Sequence, residues 1–203
     1  MRIICGRWRS RKIDWPTTGR TRPITDRVRE ALFDVLGARY GTLAELPPLS
    51  VADVFAGGGS LGIEALSRGA ARACFFERDR AALDILKRNL AQLAAGPEAV
   101  IVPVDLYRHG VRPPATHRPL DLVFLDPPFD DSRSFTDSGK IGTLLRRLGA
   151  SDAVSENTLI VLRHEGRAEL PATLGRAWQP ADRRVYSRNV IDLLTFVRPE
   201  PQA

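Results

Sequence analysis

The chain carries two cysteines, Cys5 and Cys74, and three histidines among its 203 residues. Two isolated thiols build no disulfide framework and lack metal-site spacing, so neither a disulfide-stapled scaffold nor a zinc module is expected. No apolar run approaches the roughly 18–20 residues that span a bilayer, so no membrane role is expected. The basic start, MRIICGRWRSRK, has only Ile3-Ile4-Cys5 as an apolar stretch. That is shorter than a signal-peptide core, and a cytoplasmic location is the expectation. Internal repeats and low-complexity linkers are also missing. What is left is 43% hydrophobic and 27% charged, an ordinary globular composition with enough length for one domain and a real core.

Charge is unevenly placed. The first thirty residues hold nine Lys and Arg against three acids, and the rest of the chain balances at 21 of each, from totals of 30 and 24. The whole +6 excess therefore lies at the N-terminus. A neutral body with a basic arm reads as a nucleic-acid binder, because neutralising phosphates releases counterions and drives association. Arg2, Arg7, Arg9, Arg11, Lys12, Arg22 and Arg27 are the candidate RNA contacts, with Arg29 beside them at a helix start. Trp8 and Trp15 within the arm, with glycine and proline punctuation, suggest an ordered hairpin. The expected division is a basic arm at 1–24 and a catalytic domain at 25–203.

Beyond the arm, helical spacing of Val28, Leu32, Val35 and Leu36 marks a helix over 25–36, with Thr25 or Asp26 as N-cap. Apolar strands are expected at 51–55, 71–76, 99–104, 120–125 and 157–162. Helices are expected after Gly59, over 79–94 and around 139–149, and 185–197 reads as two strands joined near Ser187-Arg188-Asn189. Near-continuous apolar strands alternating with amphipathic helices imply an α/β fold whose parallel sheet is covered on both faces. Ligands in such sheets bind outside the C-terminal ends of the strands, so the strand ends are where function is read.

The first strand runs into Asp53-Val-Phe-Ala-Gly57-Gly58-Gly59-Ser-Leu-Gly62. Gly57, Gly59 and Gly62 satisfy GxGxxG, whose glycines allow a tight turn and close backbone approach to a ligand. Glu77 ends the second strand, where a carboxylate can accept hydrogen bonds from a ribose diol. The pair suits a nicotinamide dinucleotide or S-adenosylmethionine. Asp53 favours the second, since a carboxylate there would repel a pyrophosphate; it can face a cationic amino-acid end or simply order the loop. Asp105, after the third strand, could meet an adenine amine.

The fourth strand ends in Leu125-Asp126-Pro127-Pro128-Phe129-Asp130. Two consecutive prolines stop a ladder and stiffen the loop they begin. An exocyclic amine of a base is a poor nucleophile, because its lone pair is delocalised into the ring. Two acceptors on its N–H groups, the Asp126 carboxylate and the Pro127 carbonyl, can position it for in-line attack. Pro127 and Pro128 fix the carbonyl, and Phe129 offers a face on which a flipped base stacks. His109, His117 and His164 are read as non-catalytic and Trp178 as core or cover. Arg163-His164-Glu165 ends the fifth strand with no assigned role.

DPPF at 126–129 resembles the (D/N/S)-P-P-(Y/F/W) signature of amino-group methyltransferases. With RIICGRWRSRKI (2–13), TRPITDRVREALFDVL (21–36), GGGSLGIEALSRGA (57–70) and LVFLDPPF (122–129), nearly the whole chain resembles the bacterial RsmD family. That resemblance implies a Rossmann-like class I methyltransferase fold, a seven-stranded, mostly parallel sheet closed by an antiparallel C-terminal hairpin. It implies transfer from S-adenosylmethionine to the N2 of a guanine in 16S ribosomal RNA (guanine 966 in the family), on the small ribosomal subunit or an assembly intermediate. Gly57, Gly59 and Gly62 would approach the cofactor, Glu77 its ribose and Asp105 its adenine, while Asp126 to Phe129 would hold the base. No metal is implied, and a monomer is expected. Gly58 stands where the family usually has serine, and Cys5 where glycine is usual. The alternatives are a DNA adenine or cytosine amino-methyltransferase, for which the chain leaves little room for a target-recognition domain, and a non-catalytic RNA-binding protein on the same fold. A nicotinamide-dependent reductase would give DPPF and the basic arm no task.

Overall fold

The computed structural model describes residues 1–16, 24–132, 135–166 and 168–197, without the side chains of Phe129 and Glu165. Seven strands form one sheet: β1 (Ser50–Val54), β2 (Arg72–Glu77), β3 (Ala99–Pro103), β4 (Leu120–Leu125), β5 (Val154–Glu165), β6 (Trp178–Tyr186) and β7 (Asn189–Phe196). Their order is β3-β2-β1-β4-β5-β7-β6. The first five pair in parallel, and β7 runs antiparallel to both its neighbours. This is the expected class I methyltransferase topology. The chain winds outward through β2 and β3 on one side and through β5 on the other, so the switch point falls between β1 and β4.

The central strands are largely apolar because both faces are covered. Val51, Phe75, Leu122, Phe124 and Val161 pack with α1 (Asp26–Tyr40), α2 (Ser60–Ser67) and α3 (Arg80–Gln92). Ala52, Val54, Phe76, Val123 and Ile160 pack on the other face, with α4 (Leu106–His109) and α5 (Lys140–Gly149). Thr25 caps α1 by accepting from the Val28 N–H, and Gly41 ends it in the left-handed region. Asp79 caps α3 through the Ala82 N–H.

The closing hairpin corrects the expected boundaries. Its first arm is Trp178–Tyr186, and only the second lies wholly within 185–197. Edge strand β6 pairs along its length with β7 and exposes Gln179, Arg183 and Arg184, so it shows no apolar alternation to read. Trp178 is fully buried, donating its indole N–H to the Leu145 carbonyl at 2.9 Å and packing edge-on against Phe196.

The first thirteen residues form a small hairpin, with Arg2 bridged to Lys12. Ile3, Trp8 and Ile13 are buried in the same cluster as α1, α2 and α3. Backbone donors of the hairpin find partners on α2: Ile4 and Cys5 donate to the Glu64 carboxylate, and Trp8 donates to Ser67 Oγ. The hairpin's positive φ values fall on Gly6 and Ser10, so Cys5 needs none of glycine's freedom.

Candidate active site

The loops after β1 and β4 flank the switch point and define a crevice at the C-terminal edge of the sheet. In the first loop Gly59 has φ +84°, and a Cβ there would stand 2.5 Å from Leu86 Cδ1. Phe55 also takes a positive φ, 65°, a strained state for a bulky residue. Asp53 is fully buried, and its Oδ2 accepts from the Gly62 N–H at 2.8 Å, which fixes the start of α2. Burial pushes its carboxyl up to about 8, with the charges of Asp126 and Glu77 adding to the rise. Hydrogen bonds from Gly62 and Leu61 oppose it. The carboxyl groups of Glu77 at the end of β2 and of Asp126 after β4 therefore lie near enough for their charges to act on Asp53.

Glu77 ties the first two loops together. Its Oε2 accepts from the Gly57 N–H at 2.9 Å, and its Oε1 accepts from the Arg78 and Asp79 N–H groups at 2.7 and 2.9 Å. Asp105, which caps α4 through the Tyr107 N–H, pairs with Arg78 at 2.8 Å. Burial would raise the Asp105 carboxyl, but the hydrogen bond and charge of Arg78 outweigh it and hold the group below its ordinary value. Gly57, Glu77 and Asp105 thus form one linked row along the ends of β1, β2 and β3. Partly exposed carboxylates at the second and third positions match a ligand with a vicinal diol and an exocyclic amine, and a tight glycine turn lets that ligand approach the backbone.

At the end of β4, the Asp126 N–H donates to the Val54 carbonyl, which places the Asp-Pro-Pro-Phe loop beside the glycine loop. Asp126 Oδ1 accepts from Arg163 Nε at 2.8 Å, and Arg163 Nη1 donates to Asn189 Oδ1 at 2.7 Å. Pro127 is buried, and the Pro128 carbonyl accepts from the Asp131 N–H at the start of a short 3₁₀ turn. The stacking role expected of the Phe129 side chain lies outside the described residues.

Arg163 is the residue that sequence reading left without a role; a basic side chain directly after the apolar run Leu159-Ile160-Val161-Leu162 of an interior strand was the available signal. Tyr107 was missed as well. Its hydroxyl donates to Asp131 at 2.7 Å, and its ring packs 5.4 Å from that of Phe55. Trp15 was read only as part of the arm, yet it packs on the glycine loop, its ring 3.2 Å from where a Cβ of Gly57 would stand. Fully buried Asn89 of α3 holds this arrangement, accepting from the Asp14 N–H and donating to the Asp14 and Gly58 carbonyls.

Arg2, Arg7, Arg9, Arg11, Lys12 and Arg27 are all exposed; Arg22 lies outside the described residues. Arg29 corrects the expectation of a phosphate contact. It is fully buried, hydrogen-bonded to Asp26 and the Arg2 carbonyl and ion-paired with Glu64 at 3.5 Å, and so braces the arm internally. His164 is buried against Asp192 at 2.9 Å. Among the described residues, no group of His, Cys, Asp or Glu is arranged to hold a metal ion.

The chain matches the family model described as conserved hypothetical protein 95 over residues 1–195. It is 43% identical over 132 residues to the ribosomal RNA small subunit methyltransferase D of Escherichia coli, covering 64% of this chain and 60% of that protein. A Bacillus subtilis protein provisionally named rRNA methyltransferase YlbH is 33% identical over 175 residues, covering 86% of this chain and 88% of its own. The solved structure of an Escherichia coli protein provisionally titled methyltransferase yhhF superposes with a TM-score of 0.73 at 34% identity, covering 97% of both chains. A family match over residues 1–195, a shared fold and an Asp-Pro-Pro-Phe loop beside the glycine loop agree: the chain belongs to the conserved hypothetical protein 95 family, the RsmD family.

Proposed function

We propose that the protein is an S-adenosylmethionine-dependent methyltransferase of small-subunit ribosomal RNA, acting on the exocyclic N2 of a guanine. The observation that carries this reading is the position of Asp126 at the switch point, its N–H bonded to the carbonyl of Val54 at the end of β1, where the glycine loop begins. The names of the relatives support rRNA as the substrate class.

When bound, S-adenosylmethionine would supply an electrophilic sulfonium methyl, departing as the neutral thioether S-adenosylhomocysteine, and the proton released from the amine would pass to Asp126 or to water. Glu77 would hold the ribose hydroxyls, already oriented by three backbone N–H groups, and Asp105 the adenine amine. Asp53 acts through the loop it fixes. Asp126 accepts one amine N–H and the Pro127 carbonyl the other, so the nitrogen lone pair is aimed rather than left to rotate. The exposed arm cations, with Arg27, bind RNA phosphates and bring the base to the clamp.

The test is incubation with labelled S-adenosylmethionine and three acceptors: unmethylated small subunits, naked ribosomal RNA and duplex DNA. N2-methylguanosine in RNA or subunits, lost by about 10²-fold or more in Asp126→Ala, is the expected result. Label in DNA, or undiminished transfer by Asp126→Ala, would refute it.

A further inference from the structure

We propose that Arg163 is a positioning residue for the clamp, setting the direction of the Asp126 carboxylate from an anchor on the β6–β7 hairpin. This rests on the reading of Asp126 as the acceptor for the target amine. Prolines 127 and 128 restrict the backbone after Asp126, but they do nothing to the rotation of the Asp126 side chain itself. A carboxylate that must meet one N–H of a bound base needs a partner that fixes its plane. Displacement of reacting groups by about 1 Å costs on the order of 10² in rate.

Arg163 is built for that task. It lies near the C-terminal end of β5, only 8% exposed, and a guanidinium at that depth needs its donors engaged. Nε reaches Asp126 Oδ1 at 2.8 Å and Nη1 reaches Asn189 Oδ1 at 2.7 Å. Because the guanidinium is planar and rigid, fixing one edge on Asn189 fixes where the other edge points. Asn189 is itself held. It opens β7, pairs with Glu165 of β5 in the sheet register, and comes just after a tight turn whose Arg188 carbonyl accepts from the Gly166 N–H. The line from the hairpin turn to Asp126 therefore runs from backbone held in the sheet, through the Asn189 side chain, to an Arg163 side chain bonded at both ends.

A lysine at 163 keeps the charge but offers a compact donor without the fork, so it can meet Asp126 or Asn189 and does not transmit the direction of one to the other. That gives the role a signature that general support of the fold would not share. Single-turnover methyl transfer at saturating RNA is measured for wild type, Arg163→Ala, Arg163→Lys and Asn189→Ala. Arg163→Ala is repeated in an Asp126→Asn background, since the motif accepts Asn in place of Asp. Thermal melting and cofactor affinity are measured for every variant.

Arg163→Ala should lower the transfer rate about 10- to 100-fold with cofactor affinity and RNA KM within about twofold of wild type. Arg163→Lys should recover only part of that loss. In Asp126→Asn, which has no carboxylate to direct, adding Arg163→Ala should cost less than about twofold, the non-additivity expected of groups acting as a unit. Equal losses in both backgrounds, or wild-type transfer by Arg163→Ala, would overturn the proposal while leaving the clamp intact. Undiminished transfer by Asp126→Ala would overturn the clamp and this proposal together. If Arg163→Ala does not fold, Asn189→Ala carries the test from the less buried end, with a loss of several-fold expected and wild-type transfer counting against the proposal.

Discussion

The loop after β1 takes its shape from residues without side chains, Gly57 to Gly59, whereas the loop after β4 takes its shape from Pro127 and Pro128, whose rings remove backbone freedom. The loops are closed by groups of opposite kind, carboxyls in the first and a guanidinium in the second. Asp53 and Glu77 receive the N–H groups that the glycine turn leaves over, at Gly62 and Gly57. Arg163 instead donates to the carboxylate that the proline loop presents. A loop that must let a ligand approach its backbone is made permissive and then pinned through its amides. A loop that must aim one side chain is made stiff and then pinned through that side chain. The two solutions should fail differently when disturbed.

The sharpest break should come at Gly62. A Cβ there would stand 2.4 Å from the Cε1 of fully buried Phe75 and 3.1 Å from the Cβ of Asp53. Gly62→Ala should therefore cost about 3 kcal/mol in chemical denaturation, from overpacking against a ring with nowhere to move. A loss below about 1 kcal/mol would show that the glycine loop has slack.

Asp53 should give a smaller, pH-dependent effect. Its folded value of about 8 lies above the ordinary 3.8, so across that window the folded chain binds more protons than the unfolded chain. Stability contributed at this site therefore falls as pH rises from about 4 to 8. Asp53→Asn keeps an acceptor for the Gly62 N–H and cannot titrate, so it should flatten that fall. Its melting temperature should gain on wild type at pH 8 and not at pH 5; an unchanged slope would place the ionisation elsewhere. Smallest in stability should be Pro128→Ala, about 0.4–1 kcal/mol, acting mainly through the unfolded chain, with its larger effect read in methyl transfer. A stability loss as large as that of Gly62→Ala would erase the contrast between the loops.

Much of this contrast was legible in the sequence. Apolar runs such as VADVF and LDLVFL announce strands because their surroundings are uniform, and the strand ends then name Glu77, Asp105 and Asp126 by position. Gly57, Gly59 and Gly62 are visible as a motif, but their reasons are not: Leu86 and Phe75, which occupy the space, come from elements that no local pattern links to the loop. Arg163 and Asn189 were opaque for the same cause, since the partner of each is set by sheet order rather than by spacing. Arg29 misled because a basic residue near a helix start looks the same in sequence whether it faces phosphate or Glu64. Charge counts report totals and are blind to burial.

The seating of the hairpin at residues 1–13 has a consequence for the order of events during synthesis. Its partners Glu64 and Ser67, and the Asn89 that grips Asp14, come about sixty to seventy-five residues later in the chain. At about 5–20 residues per second, the span to Asn89 alone takes roughly 4–15 s to translate. For that interval the most cationic part of the chain emerges with no surface to bind. Docking of the hairpin is therefore a late event of biogenesis, completed only after α3 has been made.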